Sequence, residues 1–346
     1  MFMLNKLTLA MYPFSLIYSI LCKANRTFKS PRMLLKPVIS VGNITWGGTG
    51  KTPIVIEVLN LLINNNLKPA VLTRGYYRNN RVPLLLSGGG VGVDALNSGD
   101  EPLLIARSVP KTVVIVGHNR YKNALRFESE VNPDVYVLDD GFQYCGIQKD
   151  LDIVCVNAAD PFGNGMLIPA GILRESPKTL KRADIVLITN SDMISDEELE
   201  KLEESIFVLS GQEPFVTYYG NFKYKTVDLN TSFDAEILKK STVYSLSAVG
   251  FAEGFKNSIE KSGIKVKGNI ILRDHVGYNY SMIKKIFNLK EKNSFFIITA
   301  KDAVKLKNVS GDIKEKIAVL VVEPQFRTGR KQWEQKVLRS KRLRFF

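Results

Sequence analysis

Val38-Ile39-Ser40-Val41-Gly42-Asn43-Ile44-Thr45-Trp46-Gly47-Gly48-Thr49-Gly50-Lys51-Thr52-Pro53 is the stretch on which the reading of the chain turns. Val38 to Val41 read as a buried strand. A glycine-rich turn follows, and Ile54, Val55, Val58, Leu59 and Leu62 then recur at helical spacing. Strand, glycine loop, Lys-Thr and helix in that order make a phosphate-binding loop. The glycines let backbone N–H groups close around phosphate oxygens with no Cβ in the way. The helix N-terminus adds its partial positive charge. Thr45, Gly47, Gly48, Thr49, Gly50, Lys51 and Thr52 are the candidate nucleotide contacts. Lys51 suits the β- and γ-phosphates, and the Thr52 hydroxyl suits Mg²⁺. The usual spacing has Gly where Thr45 stands, and Gly47, Gly48 and Gly50 compensate.

Composition narrows the classes. The chain has 346 residues, 45% of them apolar, enough for two domains and a sizeable core. A net charge of +14 calls for an anionic partner: nucleic acid, a phosphorylated substrate or an acidic membrane face. No nucleic-acid module or stacking-aromatic motif is present, so no nucleic acid is expected. Cys22, Cys145 and Cys155 show neither metal spacing nor a disulfide framework. Two histidines, His118 and His275, exclude a metal cluster built mainly from His within the chain.

Leu7 to Cys22 carry no charge, but the run is 16 residues long and Pro13 interrupts it. That is short for a membrane span. Lys23, Arg26, Lys29, Arg32 and Lys36 follow. A signal peptide is disfavoured, because no small-x-small cleavage site follows and the phosphate loop needs cytosolic nucleotide. Residues 1–27 read as a helix lying on or dipping into the inner leaflet. Each basic residue near anionic headgroups contributes about 1 kcal/mol. A helix packed on the protein's own core is the other reading.

Further strands are expected at Pro69–Thr73, Thr112–Val116, Val135–Leu138, Asp152–Val156 and Asp184–Thr189. The strand ending in Asp139-Asp140 has the Walker B pattern, in which an acidic residue at a strand end holds Mg²⁺. Arg74 stands at the carboxyl end of its strand, where doubly wound folds place ligands. Asp100 and Glu101 precede a helix from Leu103 to Arg107. They read either as caps or as a carboxylate that accepts a proton from an attacking hydroxyl. The Gly- and Pro-rich loop Gly163–Glu175 ends in Arg174, suited to phosphate, and Glu175, suited to metal or to Arg. Asn190-Ser191-Asp192 lacks the Lys by which GTPases grip guanine. After an irregular stretch from Tyr218 to Lys240, a smaller α/β unit carries strands at Phe295–Thr299 and Ile317–Val322. The boundaries so read are 1–27 for the helix, 28–222 for the nucleotide domain, 223–240 for a linker, 241–322 for the smaller domain and 323–346 for a basic tail. That tail is either solvated or in contact with anionic lipid.

On VISVGNITWGGTGKTP, LTRGYYR, SGDEPLLIA, VLDDGFQ, KDLDIV, GNGMLIPAGILRE, LSAVGFAEGF, DHVGY and TAKDAVKL, the chain resembles the tetraacyldisaccharide 4'-kinase (lipid A 4'-kinase) family. These stretches run in family order over about residues 30 to 306. The resemblance implies a P-loop NTPase-type α/β fold, a parallel sheet flanked by helices with a second, smaller α/β domain. It implies ATP- and Mg²⁺-dependent phosphorylation of the 4'-hydroxyl of a lipid disaccharide at the cytoplasmic face of the inner membrane. Lys51 and the loop amides then hold phosphates. Thr52, Asp139 and Asp140, with help from Glu175, hold Mg²⁺. Asp100, paired with His275, takes the hydroxyl proton. Arg74, Arg120 and Arg174 neutralise phosphate charge. Three positions depart from the family pattern: Tyr144 and Val276 stand where His is usual, and Ala300 where Glu is usual. The rival reading is a membrane-associated P-loop GTPase or ATPase switch. The sequence assigns no oligomeric state.

Overall fold

The computed structural model describes residues 6–76, 78–79, 81–248, 252–272, 285–286, 294–306 and 311–343. The chain forms two compact units. The first comprises Met1–Arg74, Thr112–Tyr218 and Pro324–Phe346, and the second Gly75–Lys111 and Tyr219–Glu323.

In the first unit the apolar runs become parallel strands. They are β1 (Val38–Asn43), β2 (Pro69–Thr73), β4 (Val113–Val116), β5 (Val135–Asp139), β6 (Leu151–Asn157) and β7 (Ile185–Thr189), followed by the start of β8 (Phe215–Lys225). Their order is β8-β7-β6-β1-β5-β2-β4. β1 lies between β5 and β6, in register with Val41 opposite Asp139 and Asn43 opposite Cys155. Every residue of β1, β2, β5 and β7 is buried. Covering a parallel sheet on both faces produces just such continuous apolar strands. Helices α1 (Lys6–Thr27), α2 (Lys51–Asn64), α5 (Arg120–Val131) and α6 (Asp196–Ser210) belong to this unit, α2 burying Ile54, Val55, Val58, Leu59 and Leu62. The fold is the expected α/β one.

The second unit includes β3 (Leu84–Leu86), β9 (Thr242–Ser247), β10 (Val266–Ile271), β11 (Ser294–Thr299) and, as far as Glu323, β12 (Ile317–Phe326). Strands β10-β9-β11-β12 are joined in parallel. The segment Gly75–Lys111, which sequence boundaries kept within 28–222, belongs here. It carries α3 (Ala95–Ser98) and α4 (Asp100–Ser108). Leu103 and Leu104 of α4 join Leu246, Phe296, Ile298 and Val319 in one apolar cluster. Nothing local to α4 announces partners more than 140 positions away, so the assignment is a tertiary one.

The Tyr218–Lys240 stretch departs from its irregular reading. β8 runs on to Lys225, and Ala235–Lys239 form a short helix. Tyr224 and Leu238 are buried in a cluster with Val243, Ile259 and Ile297, while Lys223 pairs with Glu323 at 2.6 Å. The alternation Phe222-Lys223-Tyr224-Lys225 carries the strand signal.

The basic C-terminal segment packs on the first unit rather than standing as a solvated tail. Arg330–Leu338 form a helix whose Trp333 is fully buried against Phe326 at 4.9 Å. Arg327 pairs with Asp196, Arg330 with Glu57 and Glu334, and Arg342 with Asp150. Arg342 also donates to the Leu34 carbonyl at 2.7 Å, and the buried Asp150 accepts from the Val38 amide at 2.8 Å, so this pair clamps the entry to β1. Arg342→Ala strands a buried carboxylate. Because the guanidinium is 27% exposed, we expect a loss of about 2 kcal/mol rather than the full cost of breaking a buried pair. The denaturation midpoint checks it, with Arg342→Lys falling between the two.

Candidate active site

The site gathers at the carboxyl ends of the first unit's strands, where five apolar runs close on a polar residue: Asn43, Thr73, Asp139, Asn157 and Thr189. Open α/β sheets bind ligands along this edge. The phosphate loop leaves β1 there and enters α2 at Lys51. Gly50, the residue before α2, has φ 71°, a left-handed conformation that a glycine adopts without steric cost. A Cβ on Gly42 would stand 2.6 Å from both Cβ and N of Phe142, so β1 and the segment after β5 approach at a distance only glycine permits.

The loop is built from inside by amides. Asn43, fully buried, donates from Nδ2 to the Thr45 carbonyl at 2.7 Å and to Thr49 Oγ1 at 2.9 Å. Gln143 Nε2 donates to the Asn43 carbonyl at 2.8 Å. Asn157 Nδ2 donates to the Gly48 carbonyl at 3.3 Å, and Thr189 Oγ1 to the Thr49 carbonyl at 3.0 Å. Asn190 Nδ2 in turn donates to Asn157 Oδ1 at 2.8 Å. The Asn190 side chain, weighed as part of a guanine grip, thus supports the phosphate loop instead.

Asp140 is the charge centre. Its Oδ1 lies 3.5 Å from Lys51 Nζ, and Arg174 grips both oxygens at 2.7 and 3.1 Å. Burial alone would raise its pKa, but Lys51, then Arg174 and Arg120, overcome that and hold the carboxyl well below the usual carboxylate range. Asp140 has φ 50°, and its neighbour Asp139 makes a different contact, accepting from Thr73 Oγ1 at 2.8 Å. Of the acidic pair, Asp140 faces the loop lysine and Asp139 is buried against β2.

Arg174 arrives on the Gly163–Glu175 loop, which pairs with the phosphate loop. The Trp46 amide donates to Ile172 O and the Arg174 amide to Ile44 O, both at 2.7 Å. Arg174 also donates to Asn43 Oδ1 at 3.2 Å. Glu175 is buried, and its Oε2 accepts from Arg26 at 2.7 Å and from Arg182 at 2.6 Å. Arg182 stacks on Phe142 at 4.2 Å. Buried Arg120 lies over the Tyr144 ring at 4.6 Å, so Tyr144 serves as a platform for this guanidinium.

Other expected residues fall elsewhere. Arg74 is exposed at the end of β2. Asp100 opens α4 in the second unit. Gly99, not Asp100, is the N-cap of that helix. Ala300 begins a helical turn, and Lys301 beside it pairs with Glu101 at 3.7 Å. His275 and Val276 lie outside the described residues. Sequence reasoning missed Asn43, Gln143, Asn157, Thr189, Arg26 and Arg182. The polar residue closing each buried strand was the available signal for three of them.

A nucleotide fits this geometry. Cβ atoms built on Gly47 and Gly48 meet nothing within 4 Å, so the loop's outer face is open where phosphate must approach. Magnesium fits too. Among the described residues no three His, Cys, Asp or Glu side chains converge as a protein-only cage. Mg²⁺ needs no such cage, since it takes one or two carboxylates together with nucleotide phosphates and water. Asp140 is held ionised, and Glu175 Oε1 is buried without a hydrogen-bond partner.

The tetraacyldisaccharide-1-P 4'-kinase family (LpxK) matches residues 7–342. A tetraacyldisaccharide 4'-kinase of Geobacter metallireducens is 33% identical over 290 residues, covering 80% of each chain. That of Chlorobium chlorochromatii is 35% identical over 319 residues, covering 86% of this chain and 82% of its own. LpxK of Aquifex aeolicus, crystallised with ATP, superposes with a TM-score of 0.78 at 28% identity, over 96% of this chain and 99% of that one. The chain belongs to the tetraacyldisaccharide-1-P 4'-kinase family.

Proposed function

We propose that this chain is an ATP- and Mg²⁺-dependent kinase that transfers the γ-phosphate to the 4'-hydroxyl of a tetraacyldisaccharide 1-phosphate. The observation that carries the reading is the Lys51–Asp140–Arg174 cluster on a phosphate loop, joined to family membership over residues 7–342. The relatives give no support to the switch reading, since those named above are kinases or a kinase crystallised with ATP.

Phosphoryl transfer asks a protein mainly for positioning and charge neutralisation. Loop amides and Lys51 hold the β- and γ-phosphates. Arg174 and Arg120 face the same carboxylate that Lys51 faces, so all three cations converge where phosphate charge develops. Thr52, Asp140 and Glu175 would hold Mg²⁺, with buried Asp139 bracing the strand end behind them. The ion supplies neutralisation of charge shared by the β- and γ-phosphates. Asp100, with His275, accepts the 4'-hydroxyl proton.

The lipid acceptor resides in a bilayer, and α1 suits an anionic membrane surface. Phe14, Leu16, Ile17, Ile20 and Leu21 are exposed on it, with Lys23 exposed at its end and Lys29 and Arg32 beyond. Among the described residues no helix is long and apolar enough to cross a membrane. These exposed side chains support a helix seated at the interface of the cytoplasmic leaflet and reversibly held.

The test is transfer of labelled γ-phosphate from ATP to a detergent-dispersed tetraacyldisaccharide 1-phosphate. Label is expected on the lipid with the wild-type chain and none with Lys51→Ala. An unlabelled lipid with active-looking ATP binding overturns the acceptor assignment. Asp100→Asn is expected to slow transfer about 10²–10⁴-fold, as loss of a general base does, with ATP affinity unchanged. A nearly wild-type rate removes Asp100 from that role.

A further inference from the structure

Ser15 is the one buried residue in the stretch 10–27 of α1, at 3% exposure, on a helix whose larger neighbours face outward. A hydroxyl is an odd choice for a buried helix position unless its hydrogen bonds are met. Here they are met twice by one loop. Ser15 Oγ donates to the Leu167 carbonyl at 2.8 Å and accepts from the Ala170 amide at 3.1 Å. Eleven residues further along the helix, Arg26 Nη2 reaches Glu175 at 2.7 Å. Thus α1 holds the Gly163–Glu175 loop at its tip and at its end. Between those points the loop is tied to the phosphate loop by the Trp46 and Arg174 amides. Tyr18 of α1 and Trp46 of the phosphate loop face one cavity of about 430 Å³ with Ile168, Pro169, Gly171 and Ile172.

We propose that α1 is part of the catalytic frame: Ser15 and Arg26 are positioning residues that hold the Gly163–Glu175 loop and thereby keep Arg174 against Asp140. The reason is mechanical. Arg174 sits next to Glu175 in sequence. Glu175 is fixed by Arg26 from α1 and by Arg182, and the loop ahead of Arg174 is fixed at Leu167 and Ala170 by one hydroxyl. Without those ties the loop keeps its own short-range bonds, such as Ile168 N to Leu173 O and Gly171 N to Leu167 O, but loses its reference to the helix. A guanidinium that must meet phosphate charge in the transition state tolerates little displacement, and about 1 Å of misplacement costs up to about 10²-fold in rate. A helix seated on a bilayer and a helix that sets an active-site arginine are then one element with two duties.

The experiment compares full-length Ser15→Val, Ser15→Thr and Arg26→Gln with the wild type. The kinetic arm rests on the phosphotransfer reading. Amide hydrogen exchange over residues 163–175 does not, so wild-type inactivity would sink that reading while exchange still decides the clamp. We expect Ser15→Val and Arg26→Gln to lower kcat about tenfold, with KM for the lipid and partition onto anionic vesicles unchanged. Exchange in the loop rises in the same two variants, and Ser15→Thr, which keeps the hydroxyl, restores both. Helix α1 acting solely as an anchor predicts the opposite split: raised lipid KM in vesicles, weaker partition and unchanged kcat. That outcome, or unchanged loop exchange in both variants, or faster exchange with unchanged kcat, overturns the inference. Should Ser15→Val fail to fold, Arg26→Gln carries the test alone.

Discussion

One largely buried carboxylate, Asp140, sets the terms for the site around it. It lies within reach of cations from separate segments: Lys51 at the start of α2 and Arg174 on a loop more than 120 residues later, with Arg120 contributing at longer range. Taking a carboxylate out of water costs several kcal/mol unless paired charges offset it. Asp140 is offset, and its lowered pKa states the balance. The same balance explains how three basic side chains stay together at a site meant for a polyanion. Each would repel the others without a shared anion, and Asp140 fills that role within the protein itself.

The backbone makes this convergence possible. β1 lies between β5 and β6, so the phosphate loop and the acidic pair leave neighbouring parallel strands at the same edge. The close approach of Gly42 to Phe142 fixes how near those two exits lie. Asn43, Asn157 and Thr189 then brace the loop from three strand ends. They shape the loop without adding net charge to the site. This division of labour, amides for shape and guanidinium or ammonium for charge, runs through the site.

Much of this was legible in the chain. The strand–loop–helix pattern, the acidic pair and the Arg-Glu ending of the long loop all carry local signals, since glycine spacing and strand-end acids act over a few residues. What was not legible depends on long-range contact. Leu103 and Leu104 look like any helix face, and only packing on Phe296 and Val319 assigns Gly75–Lys111 to the second unit. Which of Asp139 and Asp140 faces Lys51 is set by a positive φ at Asp140 and by Thr73 on another strand. Asn43 was overlooked because an asparagine inside a glycine-rich turn reads as turn chemistry, whereas here it is a buried donor to its own loop.

The net charge of +14 also looks different once partners are known. In the C-terminal segment, Arg327, Arg330 and Arg342 are held by Asp196, Glu57, Glu334 and Asp150, and they fasten the chain end to the first unit. Buried or half-buried arginines at the site are matched to Asp140 and Glu175. Lys23, Lys29 and Arg32, by contrast, are exposed, Lys23 on α1 itself and the other two in the segment that follows it. Composition alone spreads the positive charge evenly over the chain. The structure sorts much of it into ion pairs that fasten the C-terminal segment and ion pairs that gather around Asp140 and Glu175.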